Sequence, residues 1–317
     1  MADILTMGMD VGSTTSKCLI LRGGKDIAAS ALIPAGTGTT GPRRALEEAL
    51  EKAGLTREDM ACVTATGYGR ATFPGADYTV SELSCHALGA HALDGEAKTV
   101  IDIGGQDAKA LCLGPEGKLL RFLMNDKCAA GTGRFLEVMA RVLEKDVSDL
   151  AEMDALAAGM TPISSTCTVF AESEVISQLA KGADLCDLVK GIHRSVAVRT
   201  SSLMHRLGVE APVAMTGGVA RNAGVVRALE KELGTPIRVS PLAQLAGALG
   251  AAIYGWRKQG KGNERRKEKR QDRAAGIAGQ DRPGRLGRQE AGGKGGLVRL
   301  QLPPGDHHRH GYQRGLP

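Results

Sequence analysis

Two short segments of the chain share a pattern suited to holding a phosphate group and a metal ion. Residues 9–21 read Met-Asp-Val-Gly-Ser-Thr-Thr-Ser-Lys-Cys-Leu-Ile-Leu, and residues 101–113 read Ile-Asp-Ile-Gly-Gly-Gln-Asp-Ala-Lys-Ala-Leu-Cys-Leu. In each, an apolar run ends in Asp-x-Gly, a polar turn follows and a second apolar run leaves, which predicts a β-hairpin. Backbone N–H groups in such a turn can bind an anion, and a strand-end carboxylate suits Mg²⁺. One Asp-x-Gly turn is weak evidence, but a matched pair at domain spacing indicates two duplicated lobes that grip a polyphosphate.

The pattern assigns a candidate role to each polar position of the two hairpins. Asp10 and Asp102 are expected to form the Mg²⁺ environment, and Gln106 could orient a water molecule for hydrolysis. Lys17 either neutralises phosphate or is an exposed strand lysine. The residues expected to line the phosphates are Gly12, Ser13, Thr14 and Thr15 in the first hairpin, and Gly104, Gly105 and Gln106 in the second.

A third glycine-rich segment, residues 213–222, reads Val-Ala-Met-Thr-Gly-Gly-Val-Ala-Arg-Asn. The pattern predicts a short strand, a Gly-Gly turn and the start of a helix, and taken alone it fits a tight β–α connection equally well. Bare backbone lets a flat base or ribose lie close to the chain. After two phosphate hairpins we favour nucleotide binding, with Gly217, Gly218 and Asn222 facing the nucleoside.

Seven cysteines are present, and none forms a CxxC pair, so we expect no disulfide framework. Cys18 and Cys112 fall in the outgoing strands of the hairpins and are expected in the core. Cys128 and Cys167 differ, because each precedes a predicted helix whose N-terminus favours a thiolate or an anionic cluster. Two cysteines are weak evidence for a metal site, since Fe–S clusters usually take four. Two chains meeting across a two-fold axis would supply four.

The elements around these cysteines follow from the spacing of apolar residues. The helix after Cys128 is expected to bury Phe135, Leu136 and Met139 on one face and to pair Glu137 with Arg141 on another. A second helix is expected after Cys167.

Composition limits the classes of protein to consider. A chain of 317 residues with 42% hydrophobic and 24% charged residues is typical of a soluble protein with one large or two ordinary domains. Aromatic residues make up only 3%, which excludes an aromatic platform for single-stranded nucleic acid. The sequence has no run of 18 apolar residues and no basic, apolar leader, so we expect no membrane span, no signal peptide and a cytoplasmic location.

The net charge of +6 comes from the C-terminal segment. Residues 257–317 hold 16 Lys/Arg and 6 Asp/Glu, whereas residues 1–256 hold 25 and 29, a net charge of −4. The segment 257–317 has no helical or strand period, so we expect a basic, disordered tail. Its basic run could touch nucleic acid, but we do not expect a nucleic-acid partner, because the body is mildly acidic.

Together, the two phosphate hairpins and the late Gly-Gly turn resemble the actin/sugar-kinase/heat-shock-70 ATPase superfamily. Longer identities resemble the ATP-dependent activators of 2-hydroxyacyl-CoA dehydratases, and their relatives, the ATPase subunits of benzoyl-CoA reductase. The tail lies outside the resemblance. Residues 66–70 match the family, but the sequence does not indicate what they do. The segments that carry it are Asp10–Lys17, Thr66–Arg70, Val100–Lys109, Phe122–Arg141, Ile163–Gly182 and Met215–Asn222.

The resemblance implies an α/β fold of two RNase-H-like lobes around a cleft for ATP and Mg²⁺, over residues 1–97 and 98–256, with the final helix packing back on the first lobe. It implies that Cys128 and Cys167 hold one [4Fe–4S] cluster that bridges a homodimer. Such a protein would take an electron from a ferredoxin or flavodoxin and pass it, driven by ATP, to a 2-hydroxyacyl-CoA dehydratase.

Two alternatives remain open at this point. A small-metabolite (sugar) kinase of the same superfamily would use the same ATP residues but leave Cys128 and Cys167 unexplained. An ATPase subunit of a benzoyl-CoA-type reductase would share the cluster and serve a different partner.

Overall fold

A computed structural model describes residues 4–125, 128–164 and 167–260. The strands of the first sheet are β1 (Leu5–Val11), β2 (Ser16–Arg22), β3 (Asp26–Ile33), β4 (Cys62–Thr66) and β5 (Tyr78–Thr79). Those of the second are β6 (Thr99–Ile103), β7 (Ala108–Leu113), β8 (Leu119–Asn125), β9 (Val213–Thr216) and β10 (Ile237–Val239). The strand orders are β3-β2-β1-β4-β5 and β10-β9-β6-β7-β8.

Eight helices connect or cover these strands in the described part of the chain. They are α1 (Gly41–Ala53), α2 (Glu82–Leu93), α3 (Gly133–Val142), α4 (Leu150–Leu156), α5 (Thr168–Ala180), α6 (Leu185–Leu207), α7 (Ala223–Leu233) and α8 (residues 246–260). Among the described residues, none of these helices is both long and apolar enough to cross a membrane. The first four residues of the predicted tail lie in α8, and residues 261–317 lie outside the described residues.

The two sheets repeat one arrangement of three strands. β1 pairs antiparallel with β2 and parallel with β4, just as β6 pairs antiparallel with β7 and parallel with β9. Asp10 lies opposite Lys17 in the first hairpin, and Asp102 lies opposite Lys109 in the second. Both predicted hairpins are therefore confirmed, and their matching register agrees with duplicated lobes. The lobe boundaries near residues 97 and 256 stay a prediction, because the described residues all belong to one compact unit.

The core follows the apolar runs of the sequence. Every residue of β1 and β6 is buried, as expected for central strands covered on both faces. The predicted apolar face of α3 is confirmed, since Phe135, Leu136 and Met139 are buried in the core of the second sheet. The predicted pair of Glu137 with Arg141 is wrong. Glu137 instead accepts from Arg134 at 2.9 Å, because residues three apart are also neighbours on a helix.

Helices α2 and α8 lie between the two sheets. Ala87 and Ala90 of α2 pack in one apolar cluster with residues of the second sheet, and Ala248 and Ala252 of α8 pack with Leu19 and other residues of the first.

The two helices contact each other through glycine. A Cβ atom at Gly89 of α2 would collide with the backbone carbonyl of Ala246, and one at Gly250 of α8 would collide with that of Cys85. Only glycine lets the helix backbones approach this closely.

Candidate functional site

The turns of both hairpins open into one cavity of about 690 Å³. This volume lies within the range of roughly 300–1,000 Å³ that is usual for small-molecule sites. Every residue that the sequence assigned to the nucleotide lines this cavity. These residues are Asp10, Gly12, Ser13, Thr14, Thr15, Lys17, Asp102, Gly104, Gly105, Gln106, Gly217, Gly218 and Asn222.

The first hairpin holds its aspartate with a single lysine. The Nζ atom of Lys17 lies 3.1 Å from Oδ2 of Asp10, and the turn closes where the N–H of Gly12 donates to the carbonyl of Thr15. The lysine side chain is 15% exposed, so Lys17 is not an exposed strand lysine. Its ammonium lies at the cavity wall, where it can contact an anionic ligand.

The second hairpin contains a buried charge network. Lys109, whose side chain is only 2% exposed, contacts Asp107 at 2.6 Å, Glu82 at 2.8 Å and Asp102 at 3.2 Å. Burial alone would lower the pKa of Lys109, but the three carboxylates outweigh it and hold the pKa above its usual range. The lysine is therefore locked as a cation inside the protein.

His86 and Thr216 complete the surroundings of Asp102. The Nδ1 atom of His86 lies 3.0 Å from Oδ1 of Asp102, within ion-pair distance. The hydroxyl of Thr216 donates to the same oxygen at 2.7 Å. Burial raises the pKa of Asp102, but the charges of His86 and Lys109 outweigh it and hold the pKa well below its usual range. Conversely, burial lowers the pKa of His86, and the charge of Asp102 outweighs it, so the pKa is raised.

Sequence reasoning missed Glu82 and His86, which line the cavity from helix α2. The sequence does contain a pattern that could have indicated them. The two residues are four apart and so lie on one face of a helix that is otherwise mostly small and apolar. The pattern alone does not say which face of that helix meets the hairpins.

The Gly-Gly turn forms as predicted, between β9 and a short 3₁₀ turn that leads into α7. Gly217 has φ 87°, and a Cβ atom there would collide with the backbone of Ile103, so the position requires glycine. The side chain of Asn222 caps α7, since its carbonyl oxygen accepts from the N–H groups of Gly224 and Val225 at 3.0 and 3.1 Å. Asn222 therefore stabilises the turn by capping α7, and it also lines the cavity.

A buried network extends from this cap into the second lobe. The amide of Asn222 donates to Nε2 of His193, so the other ring nitrogen carries the proton and donates to Asp154 at 3.0 Å. Arg227 donates to the same carboxylate at 2.6 Å. Burial raises the pKa of Asp154, but the hydrogen bonds from His193 and Arg227 outweigh it and lower the pKa.

The segment Thr66–Arg70, which had no role from sequence, has a structural counterpart in the other lobe. β4 ends in Thr66-Gly67 beside Asp10, as β9 ends in Thr216-Gly217 beside Asp102. Both glycines have nearly the same φ, 88° and 87°. Gly67 and Tyr68 line the cavity, so the segment belongs to the same site.

Cys128 and Cys167 stand apart from the buried cysteines. Cys128 is half-buried, and Cys167 is exposed and directly precedes α5. Four others are buried, namely Cys18, Cys62, Cys85 and Cys112, and burial raises the pKa of Cys85 to about 12. Within the described part of a single chain, no three or more His, Cys, Asp or Glu side chains form a group that could hold a metal ion.

The loop of Cys128 is tied directly to the second hairpin. The side-chain amide of Asn125 donates to the carbonyls of Cys128 and Ala130 at 3.0 and 3.3 Å. At the other end of the loop, the first two N–H groups of α3, from Gly133 and Arg134, donate to the carbonyls of Gly104 and Gly105 at 2.9 and 2.8 Å.

The chain matches the model of the BadF/BadG/BcrA/BcrD ATPase family over residues 7–255. The 2-hydroxyisocaproyl-CoA dehydratase activator of Clostridioides difficile is 58% identical over 249 residues, 78% of this chain and 94% of that protein. The (R)-2-hydroxyglutaryl-CoA dehydratase activating ATPase of Acidaminococcus fermentans is 58% identical over 259 residues, which is 81% of this chain and 99% of that protein. The solved structure of the activator of the 2-hydroxyisocaproyl-CoA dehydratase from Clostridium difficile with bound ADPNP matches this chain with a TM-score of 0.81 at 55% sequence identity. The match covers 83% of this chain and 98% of that chain. This likeness confirms the predicted fold of two RNase-H-like lobes.

Proposed function

The chain belongs to the BadF/BadG/BcrA/BcrD ATPase family, and from this we propose that it is an ATP-driven activator that passes one electron to a 2-hydroxyacyl-CoA dehydratase. The names of its 58% identical relatives support this choice of partner. The observation that carries the proposal is the hydrogen-bonded link from the Gly104–Gly105 turn to the loop of Cys128. In this proposal it joins the turn that binds phosphate to the loop that carries a cluster ligand.

In this proposal the nucleotide occupies the 690 Å³ cavity, with its phosphates between the two hairpins. Asp10 and Asp102 form the surroundings of Mg²⁺, and Lys17 shifts from Asp10 toward phosphate. Gln106 orients the attacking water. The backbone at Gly217 and Gly218 takes the nucleoside, and the buried cap by Asn222 holds that turn in shape.

Cys128 and Cys167 fit the role of cluster ligands, because both are accessible and each lies before the start of a helix. Two copies of the chain would supply four thiolates, which is the ligand set of a [4Fe–4S] cluster. Val169 and Phe170, in the first turn of α5 after Cys167, are 66% and 68% exposed, so each chain presents apolar area that a second copy could cover. When bound, such a cluster supplies one-electron storage, which a ferredoxin or flavodoxin would refill.

Coupling follows from the link between hairpin and helix. Nucleotide exchange changes the lobe geometry only as far as MgATP and MgADP differ in affinity for the two arrangements. Because α3 is bonded to Gly104 and Gly105, a shift of that turn moves the start of α3, and Asn125 carries the loop of Cys128 with it. In this proposal a shift of the phosphate-binding turn therefore moves the loop of Cys128.

A sugar kinase of the same fold is less well supported. It would need no accessible thiol at Cys128 or Cys167, and the 58% identical relatives are activators of dehydratases.

The test is iron content and colour after anaerobic purification. We expect about four irons per dimer, from the ligand count of a four-cysteine cluster. Cys128→Ser and Cys167→Ser should each abolish the cluster and weaken the dimer while leaving nucleotide binding intact. Cys186→Ser, which changes another thiol that is not fully buried, is the matched control and should keep all three properties. A colourless wild-type protein, or a full cluster in either serine variant, would refute the proposal.

A further inference from the structure

A second cavity, of about 470 Å³, lies beside the loop of Cys128. Its walls come from the end of β8, from Ala130 and Gly131 after Cys128, from residues 162–164 ahead of Cys167, and from one side of α6. Both cysteine-bearing segments therefore border it.

The lining of this cavity is cationic. Arg194, Arg199 and Arg206 of α6 line it, and among the residues that the structure describes no Asp or Glu does. Arg199 and Arg206 make no ion pair or hydrogen bond through their side chains with any residue that the structure describes, whereas Arg194 donates to Glu232 at 3.1 Å. Arginine stays charged at all ordinary pH values and offers five N–H donors, so these two exposed side chains can bind an anionic group without breaking a contact to the described residues.

A buried hydroxyl in the same wall also lacks an acceptor. Thr200 is 2% exposed, and its Oγ1 has no hydrogen-bond partner among the described residues. It faces the loop of Cys128, since it lies 3.8 Å from where a Cβ atom of Gly131 would stand. A buried polar group without a partner costs free energy, which a ligand carrying acceptor oxygens would recover.

We propose that this cavity receives a carboxylate-bearing segment of the protein that accepts the electron. The inference rests on the proposed function, because it takes the neighbourhood of Cys128 and Cys167 as the place where the acceptor docks. One free carboxylate or phosphate would leave most of 470 Å³ empty, whereas an acidic turn with several side chains fits that volume.

The test compares two double variants of equal charge change. Arg199→Gln with Arg206→Gln removes the unpaired cations, and Arg22→Gln with Arg44→Gln is the control on the first lobe, where both arginines are exposed and their side chains have no partner among the described residues. Electron transfer to (R)-2-hydroxyglutaryl-CoA dehydratase, the protein after which the Acidaminococcus fermentans relative is named, serves as the assay. We expect KM for the dehydratase to rise about tenfold or more in the first variant only, with a weaker salt dependence. A variant with Lys at both positions should recover part of the loss.

Iron content, the spectrum of the reduced cluster and ATPase activity are measured on the same samples and should equal wild type. Absence of the cluster or of electron transfer in wild type would overturn the proposed function itself. A cluster-bearing, donating wild type whose KM rises equally in both double variants would overturn the docking inference alone. So would inhibition by millimolar inorganic phosphate without any change of KM in the arginine variant, which indicates a free-anion site. A loss of dimer in sedimentation, confined to the arginine variant, would assign the cavity to the second copy instead.

Discussion

The two hairpins have the same register, yet they hold their aspartates in different ways. Asp10 has one cation, Lys17, whose side chain reaches the cavity and is 15% exposed. Asp102 lies between Lys109 and His86, accepts from Thr216, and shares Lys109 with two further carboxylates. The first arrangement has a cation that can turn to a ligand, whereas the second is a closed network that holds its shape. The two hairpins therefore share one backbone register but differ in the number of charged groups that hold the aspartate.

We expect the largest difference between the two hairpins when the lysine of each is substituted. Lys109→Met leaves buried Asp102 and half-buried Glu82 and Asp107 around a single remaining cation, His86, so we expect the free energy of unfolding to fall by about 3–5 kcal/mol. Lys17→Met removes one partly exposed partner and should cost about 1–2 kcal/mol. Urea denaturation of both variants measures the difference, and equal losses would show that the second hairpin is no more rigid than the first.

Substituting the aspartates should lower ATPase activity in both hairpins but stability only in the second. Asp10→Asn and Asp102→Asn should each lower ATPase activity by about 10- to 100-fold, because each removes an anionic group near the metal ion. Only Asp102→Asn should also lower the denaturation midpoint, since it takes the ion-pair partner from buried His86 and one of three carboxylates from buried Lys109. Iron content should be retained in both. Unchanged ATPase activity in Asp102→Asn would remove the second hairpin from the phosphate site.

The threonines next to the aspartates give a smaller contrast. Thr216→Val removes a hydrogen bond to the buried charge of Asp102 and should cost about 1.5–3 kcal/mol, whereas Thr66→Val removes one to the neutral carbonyl of Val80 and should cost about 0.5–1.5 kcal/mol. Thermal unfolding of the two isosteric variants tests this order, and the reverse order would contradict it.

The smallest effect concerns pH. The pKa of His86 is raised in the folded protein, so its contribution to stability is full below the unfolded value of about 6.5 and is lost as pH rises through the folded pKa. The pKa of Asp102 is lowered, so its contribution persists above about 3.9 and is lost only as pH falls below that. Wild type should therefore lose stability toward alkaline pH relative to His86→Gln. Parallel stability curves from pH 6 to 9 would exclude this.

Much of the site is predictable because it is local in sequence. A hairpin places Asp10 opposite Lys17, and Asp102 opposite Lys109, once the turn length is known. The contacts of Glu82 with Lys109 and of His86 with Asp102 could not be predicted, since they depend on how α2 packs across the second sheet. The pairing of Glu137 with Arg134 rather than Arg141 likewise turns on rotamers that helical spacing leaves open. The role of Thr66–Arg70 needed both sheets side by side, because the 66–70 and 216–221 segments share little beyond Thr-Gly.

The glycine contacts between α2 and α8 set how easily one sheet slides past the other. Helices usually resist sliding because side chains of one fill grooves between those of the other. At Gly89 and Gly250 backbone meets backbone, so no side chain blocks a small translation along the contact. A single methyl group at either position would collide with the facing carbonyl oxygen, force the helices apart and block such a translation.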